Sequence, residues 1–212
     1  MASVNLAGNR GLNEMPKVIL LILCAAMFYG IIHDQITVRL CPEYFTLAHP
    51  PLFHSASPTL LALGWGSAAA VGIGAVFGVL LGLVSQSPGL PPIPIPRICN
   101  LILRLLSIMA VAAALAGCVG FHLSRLAIIS CPSVWAEFVP ASRHNQFMAV
   151  WFAHCASYVV GLGGGAFLIF RIWDQRQRPH ILSPLPRDGF GFARAVILLL
   201  VLCAVAWMRF WK

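Results

Sequence analysis

The chain alternates long apolar runs with short polar connectors. Five runs are long enough to cross a bilayer, at about residues 16–33, 58–84, 98–122, 147–170 and 192–210. At 1.5 Å per residue, the first covers about 25 Å of a hydrocarbon core of about 30 Å. Asn13 can cap this run ahead of Pro16. Ser57-Pro58 reads as the start of the second, because a hydroxyl caps and proline fits a first helical turn. The connector "SPGLPPIPIPR" is proline-rich and extended. The pattern predicts an all-α polytopic transmembrane bundle of five spans, one domain over residues 1–212.

Composition supports that reading. Only 9% of the 212 residues are charged and 59% are hydrophobic, against about 25% charged in soluble domains. The lipid bilayer is therefore the expected partner. The net charge of +8 does not point to nucleic acid, because the Lys and Arg residues flank the apolar runs and no nucleic-acid motif accompanies them. They are also unequally shared. Arg10, Lys17, Arg97, Arg104, Arg171, Arg176, Arg178, Arg187 and Arg194 fall on the N-terminal side, against Arg39, Arg125, Arg143, Arg209 and Lys212 on the other. The bias predicts a cytoplasmic N-terminus and an extracytoplasmic C-terminus, in the cell inner (cytoplasmic) membrane. Lys17 before an apolar run resembles a signal peptide. No A-x-A site closes it, so the segment reads as a retained first span.

Small residues and cysteines add two expectations. Gly74, Gly78 and Gly82 stand four apart in the second run, as do Gly161 and Gly165 in the fourth. Such faces let helix backbones approach in lipid, within the chain, in a homo-oligomer or against a membrane-protein partner. None of the seven cysteines forms a C-x-x-C pair. Cys41 and Cys131 lie in the two outer connectors, each before a proline, and an oxidising compartment would permit a disulfide between them.

The polar residues within and beside the spans carry the candidate chemistry. With the predicted topology, His33, His49, His54, His122, His144 and His154 lie on or near the extracytoplasmic side, with Asp34, Glu43 and Glu137. Trp151, His154, Tyr158, Gly161 and Gly165 share one helix face, and Tyr29 and His33 another. An imidazole in the bilayer needs a partner, which marks these residues as a functional candidate. One reading is a transition-metal site of His33, His122 and His154, with Asp34 or Glu43 as carboxylate. The pocket around it would take Tyr29, Tyr158, His49 and Trp151. A haem would need two histidines at matched depth, and His33 with His122 is the natural pair. The alternatives are a His–Tyr or His–Asp pair that only fixes helix register, in an accessory or structural subunit, and a proton or ion pathway. Arg39, between Asp34 and Glu43, is expected to neutralise one of them. HExxH and histidine-box patterns are absent, as is G-x-S-x-G, so no catalytic residue is assigned.

The segments "HDQITVR", "EYFT" and "HPPLF", with "AHCASY" later, resemble a group of bacterial multi-pass membrane proteins. Ala48 stands where that group carries glycine. The resemblance covers about a quarter of the chain. It implies location, architecture and assembly of the two motif regions into one site. It implies no activity.

Overall fold

The computed structural model describes residues 2–50 and 55–177, with side-chain surroundings from residue 11 onward. The fifth predicted span, at 192–210, lies outside the described residues, as do His54 and His180. The described residues contain no strand. They form α1 (Ala2–Leu40), α2 (Pro42–Thr46), α3 (Pro58–Gln86), α4 (Ile95–Arg125), α5 (Ser133–Ala136), a 3-10 turn (Ala141–Arg143) and α6 (His144–Gln177). Four segments are long and apolar enough to cross a membrane: Gly11–Leu40, Pro58–Gln86, Ile95–Arg125 and Ala141–Gln177.

The first helix departs most from expectation. It neither starts at Pro16 nor stops at His33. Pro16 lies inside α1, where its ring forgoes one backbone hydrogen bond. The helix then continues past "HDQITVR" to Leu40, placing Asp34 about 9 Å below its end. Thr37 and Arg39 are satisfied within the helix and by its neighbour α3. Thr37 Oγ1 donates to the His33 carbonyl at 3.1 Å, and Arg39 donates to Gln35 and to Thr59 Oγ1. Arg39 therefore neutralises neither Asp34 nor Glu43. The Ser57 cap on α3 is present, with Pro58 in the first turn.

The helices pack chiefly as two antiparallel pairs, α1 with α3 and α4 with α6. Glycine sets the spacing in the first pair. A Cβ added at Gly66 would lie 2.7 Å from the Gly30 carbonyl carbon and oxygen, so the backbones touch there. Below this point Gly74 packs on Leu23 and Ala26, Gly78 on Ile19, and Gly82 on Ile19 and Met15. The Gly74, Gly78, Gly82 face is thus used inside the chain, against α1. In the second pair Gly120 meets Met148 and Phe152, and Gly161 meets Met109. Gly165 crosses between the pairs to Phe77.

The two pairs are joined mainly at their ends. One apolar cluster, including Val38, Cys41, Phe45, Val139 and Phe147, lies under the cap formed by α2 and the 3-10 turn. A second, including Val18, Leu81, Ile98, Ile102 and Ile172, closes the opposite end. There Arg176, counted in the sequence only as a topology charge, is buried and folded inward. It donates to the carbonyls of Val84, Ser87, Leu90 and Pro91 and to Ser87 Oγ. Val84 O belongs to the last turn of α3, whose carbonyls lack intrahelical partners. Between the two joints the pairs enclose a cavity.

Candidate functional site

Three of the five expected ligands come together. Donor atoms of His33 and Asp34 on α1 and His154 on α6 all lie within 4.8 Å of one another. Adjacent positions on α1 supply two of them, and the α1–α6 approach supplies the third. The imidazoles of His33 and His154 meet edge to face, with centroids 4.6 Å apart. Tyr29 stacks on His33 and bonds Ser157 Oγ at 2.8 Å. Tyr44 and Phe45 of α2 fold over His154, with ring centroids at 4.7 Å and 5.8 Å.

The hydrogen bonds constrain the charge in this cluster. Nδ1 of His154 lies 2.9 Å from the Val150 carbonyl. A carbonyl oxygen only accepts, so Nδ1 carries a proton. In a neutral imidazole Nε2 is then a lone pair. It lies 3.2 Å from Asp34 Oδ1, which as a carboxylate is also an acceptor. A positive species has to stand between them, either a proton or a metal ion. Two ligand atoms each about 2.1 Å from one ion and about 100° apart are separated by about 3.2 Å. Beside this pair, Nε2 of His33 is buried with no hydrogen-bond partner. A buried polar nitrogen left unpaired is costly.

The other expected residues divide. His49, Tyr29 and Tyr158 line the cavity with His33, Asp34 and His154. Trp151 does not. It packs on Phe147 and the outer apolar cluster. His122 is exposed, its ring against Phe121, and lies outside the ligand group. It lies beyond Gly120, which meets Met148 and Phe152, so it stands nearer the outer end than His154 and faces outward. That removes the natural haem pair. Glu43 also stays apart, because Arg143 holds it in an ion pair at 3.2 Å that ties α2 to the turn before α6. Ser157, Tyr44, Phe45 and Trp65 complete the surroundings of the site. Of these, Ser157 had a usable signal, three residues after His154 on the same face.

The cap is polarised by burial. Burial pushes the Glu43 carboxyl up. Its own backbone N–H, the Cys41 thiol and Arg143 outweigh that and hold it below the usual carboxylate range. Burial drives the His49 imidazole down despite its bond to the Tyr44 carbonyl, so His49 is largely neutral at neutral pH. The expected Cys41–Cys131 bridge is not formed. Both are free and buried, and Cys41 Sγ instead donates to Glu43 at 3.3 Å. Burial, then the bond to Glu43, pushes the Cys41 thiol up to about 12. Only thiolate reacts readily. A water-soluble maleimide at pH about 8 is therefore expected to leave Cys41 unmodified in the folded protein and to label it after denaturation. Fast labelling of folded protein, read by mass spectrometry, would contradict this environment.

The cavity has a volume of about 160 Å³ and is partly open. Its polar end holds the His33, Asp34 and His154 group; its far end is lined by Leu81, Ile102, Leu106 and Leu168. No family model, curated protein or solved structure matches the chain, so the site stands on its own geometry.

Proposed function

We propose that this is an inner-membrane protein that binds one divalent transition metal at His33, Asp34 and His154, reached from the extracytoplasmic side. The observation that carries the reading is the convergence of one donor atom each from His33, Asp34 and His154, in a group where His33 Nε2 is buried and unpartnered. Two imidazoles and one carboxylate form a donor set suited to zinc or non-haem ferrous iron, with coordination positions left for a small polar ligand. No cysteine belongs to the described donor group, which disfavours copper(I). The Lys/Arg bias supports the orientation.

The competing reading is an accessory subunit in which the His154–Asp34 contact at 3.2 Å is internal glue. That reading leaves His33 Nε2 without a role. A proton pathway would need polar groups beyond Tyr29 and Ser157, where the cavity wall is apolar.

Metal content tests the reading. Purified wild-type protein is expected to hold about one zinc or iron ion per chain. His33→Ala, which breaks no hydrogen bond of Nε2, is expected to fold and to lose the ion. Background metal in the wild type, or unchanged content in the variant, would contradict the proposal.

A further inference from the structure

The cavity is far longer than a metal site requires. Its wall on α1 runs from Asp34 to Ile22, about 18 Å, and on α6 from His154 to Ile169, about 22 Å. One lipid chain occupies about half of a 30 Å hydrocarbon core, about 15 Å. The slot is polar at one end only and apolar along the remainder. Small residues of three helices line it, among them Gly30, Gly66, Ala70 and Gly161. It faces lipid between α3 and α6, where the lining residues Ile73, Tyr158 and Leu162 are 36%, 43% and 48% exposed. Phe77, packed on Gly165, closes that seam below.

We infer that the slot takes one long-chain amphiphile with a monoanionic oxygen head group, a long-chain carboxylate being the simplest case. The chain lies along the slot and the head group sits at the polar end. The head-group assignment rests on the metal reading above; the tail slot does not. A divalent ion with Asp34 leaves one positive charge in a low-dielectric site, and one carboxylate neutralises it. Tyr29 and Ser157 share a single hydrogen bond, so one hydroxyl proton is left to donate to a ligand oxygen. His33 Nε2, buried and unpartnered at the same end, marks where the head group or its ion is held. The opening between α3 and α6 admits the chain directly from the bilayer.

The test titrates oleate into cobalt-loaded protein, read by native mass spectrometry and by cobalt absorption. One oleate per chain is expected, with a shift of the cobalt bands that oleyl alcohol does not produce. Gly161→Phe sets a ring against the flexible Met109 side chain in the slot wall and drives one of the two into the slot. It should weaken oleate binding at least about tenfold and leave the cobalt spectrum without oleate unchanged. Leu106→Trp on the facing helix should do the same, and serves if the first variant does not fold. No retained oleate, or equal affinity in the blocked variants, would overturn the inference. Oleyl alcohol bound as tightly as oleate would overturn the anionic head group. Oleate binding that Gly161→Phe abolishes, in protein that takes up no cobalt, would remove the metal reading and leave the tail slot standing.

Discussion

Arg176→Gln is expected to destabilise the protein by about 3 kcal/mol, because several buried carbonyl acceptors lose their donor. The guanidinium donates to four carbonyls and one hydroxyl, on the last turn of α3 and the segment that links it to α4. It is 6% exposed, so water replaces few of those bonds. Each buried acceptor left unsatisfied costs about 1–3 kcal/mol, partly recovered by relaxation. The same bonds place a positive charge at the C-terminal end of α3, where the helix dipole favours it. They also hold α6 to the α1–α3 pair at the end opposite the site. Arg176→Lys should fall between the two, because an ammonium offers three donors and no planar fork. Thermal unfolding in detergent or lipid measures the effect. A change within about 0.5 kcal/mol, typical of surface substitutions, would contradict the clamp.

Asp34→Asn is expected to keep the fold and to weaken metal binding by more than about 100-fold. That is the upper end for losing a residue that merely orients a ligand. The amide replaces the carboxylate at nearly the same volume, and its NH₂ can donate to the lone pair on His154 Nε2. The conflict between two acceptors disappears without any ion. Amide oxygen is a poorer ligand than carboxylate, so the metal loses its only anionic donor. If the His154–Asp34 contact were only an ion pair, the same change would remove a buried charge partner and lower stability instead. Metal titration and thermal unfolding of one variant therefore separate the two readings. Full metal affinity with reduced stability would favour the glue.

The helices that carry the site were readable in the sequence; the distance of His33 from its helix end and the direction of His122 were not. Counting residues from the apolar boundaries put His33 and His122 at the outer ends of their spans and His154 one to two turns below. Only His33 and His154 meet, because α4 turns His122 outward. The face carrying His154, Tyr158, Gly161 and Gly165 was legible from helical spacing and does line the cavity. Trp151, one further turn up, packs toward Phe147 instead. The end of α1 was misplaced because "HDQITVR" has the polarity of an interface. Its Thr37 and Arg39 are satisfied by the helix itself and by Thr59 on α3, and Asp34 meets His154 on α6, which a local reading does not see. Gly30 and Gly66 set the closest α1–α3 approach; Gly66 continues the small-residue stripe of Gly74, Gly78 and Gly82 through Ala70, whereas Gly30 has no glycine four residues away. Arg176 looked like one more cytoplasmic charge, since its acceptors are backbone carbonyls and leave no trace in composition.

A cobalt(II) titration of the purified, metal-free protein tests the central claim most directly. The account predicts visible ligand-field bands that saturate at about one ion per chain and show no thiolate charge-transfer band, as nitrogen and oxygen ligands require. Asp34→Asn and His33→Ala should not develop these bands at the same concentration. A featureless titration, or a spectrum dominated by thiolate absorption, would contradict the assignment of His33, Asp34 and His154 as a metal centre.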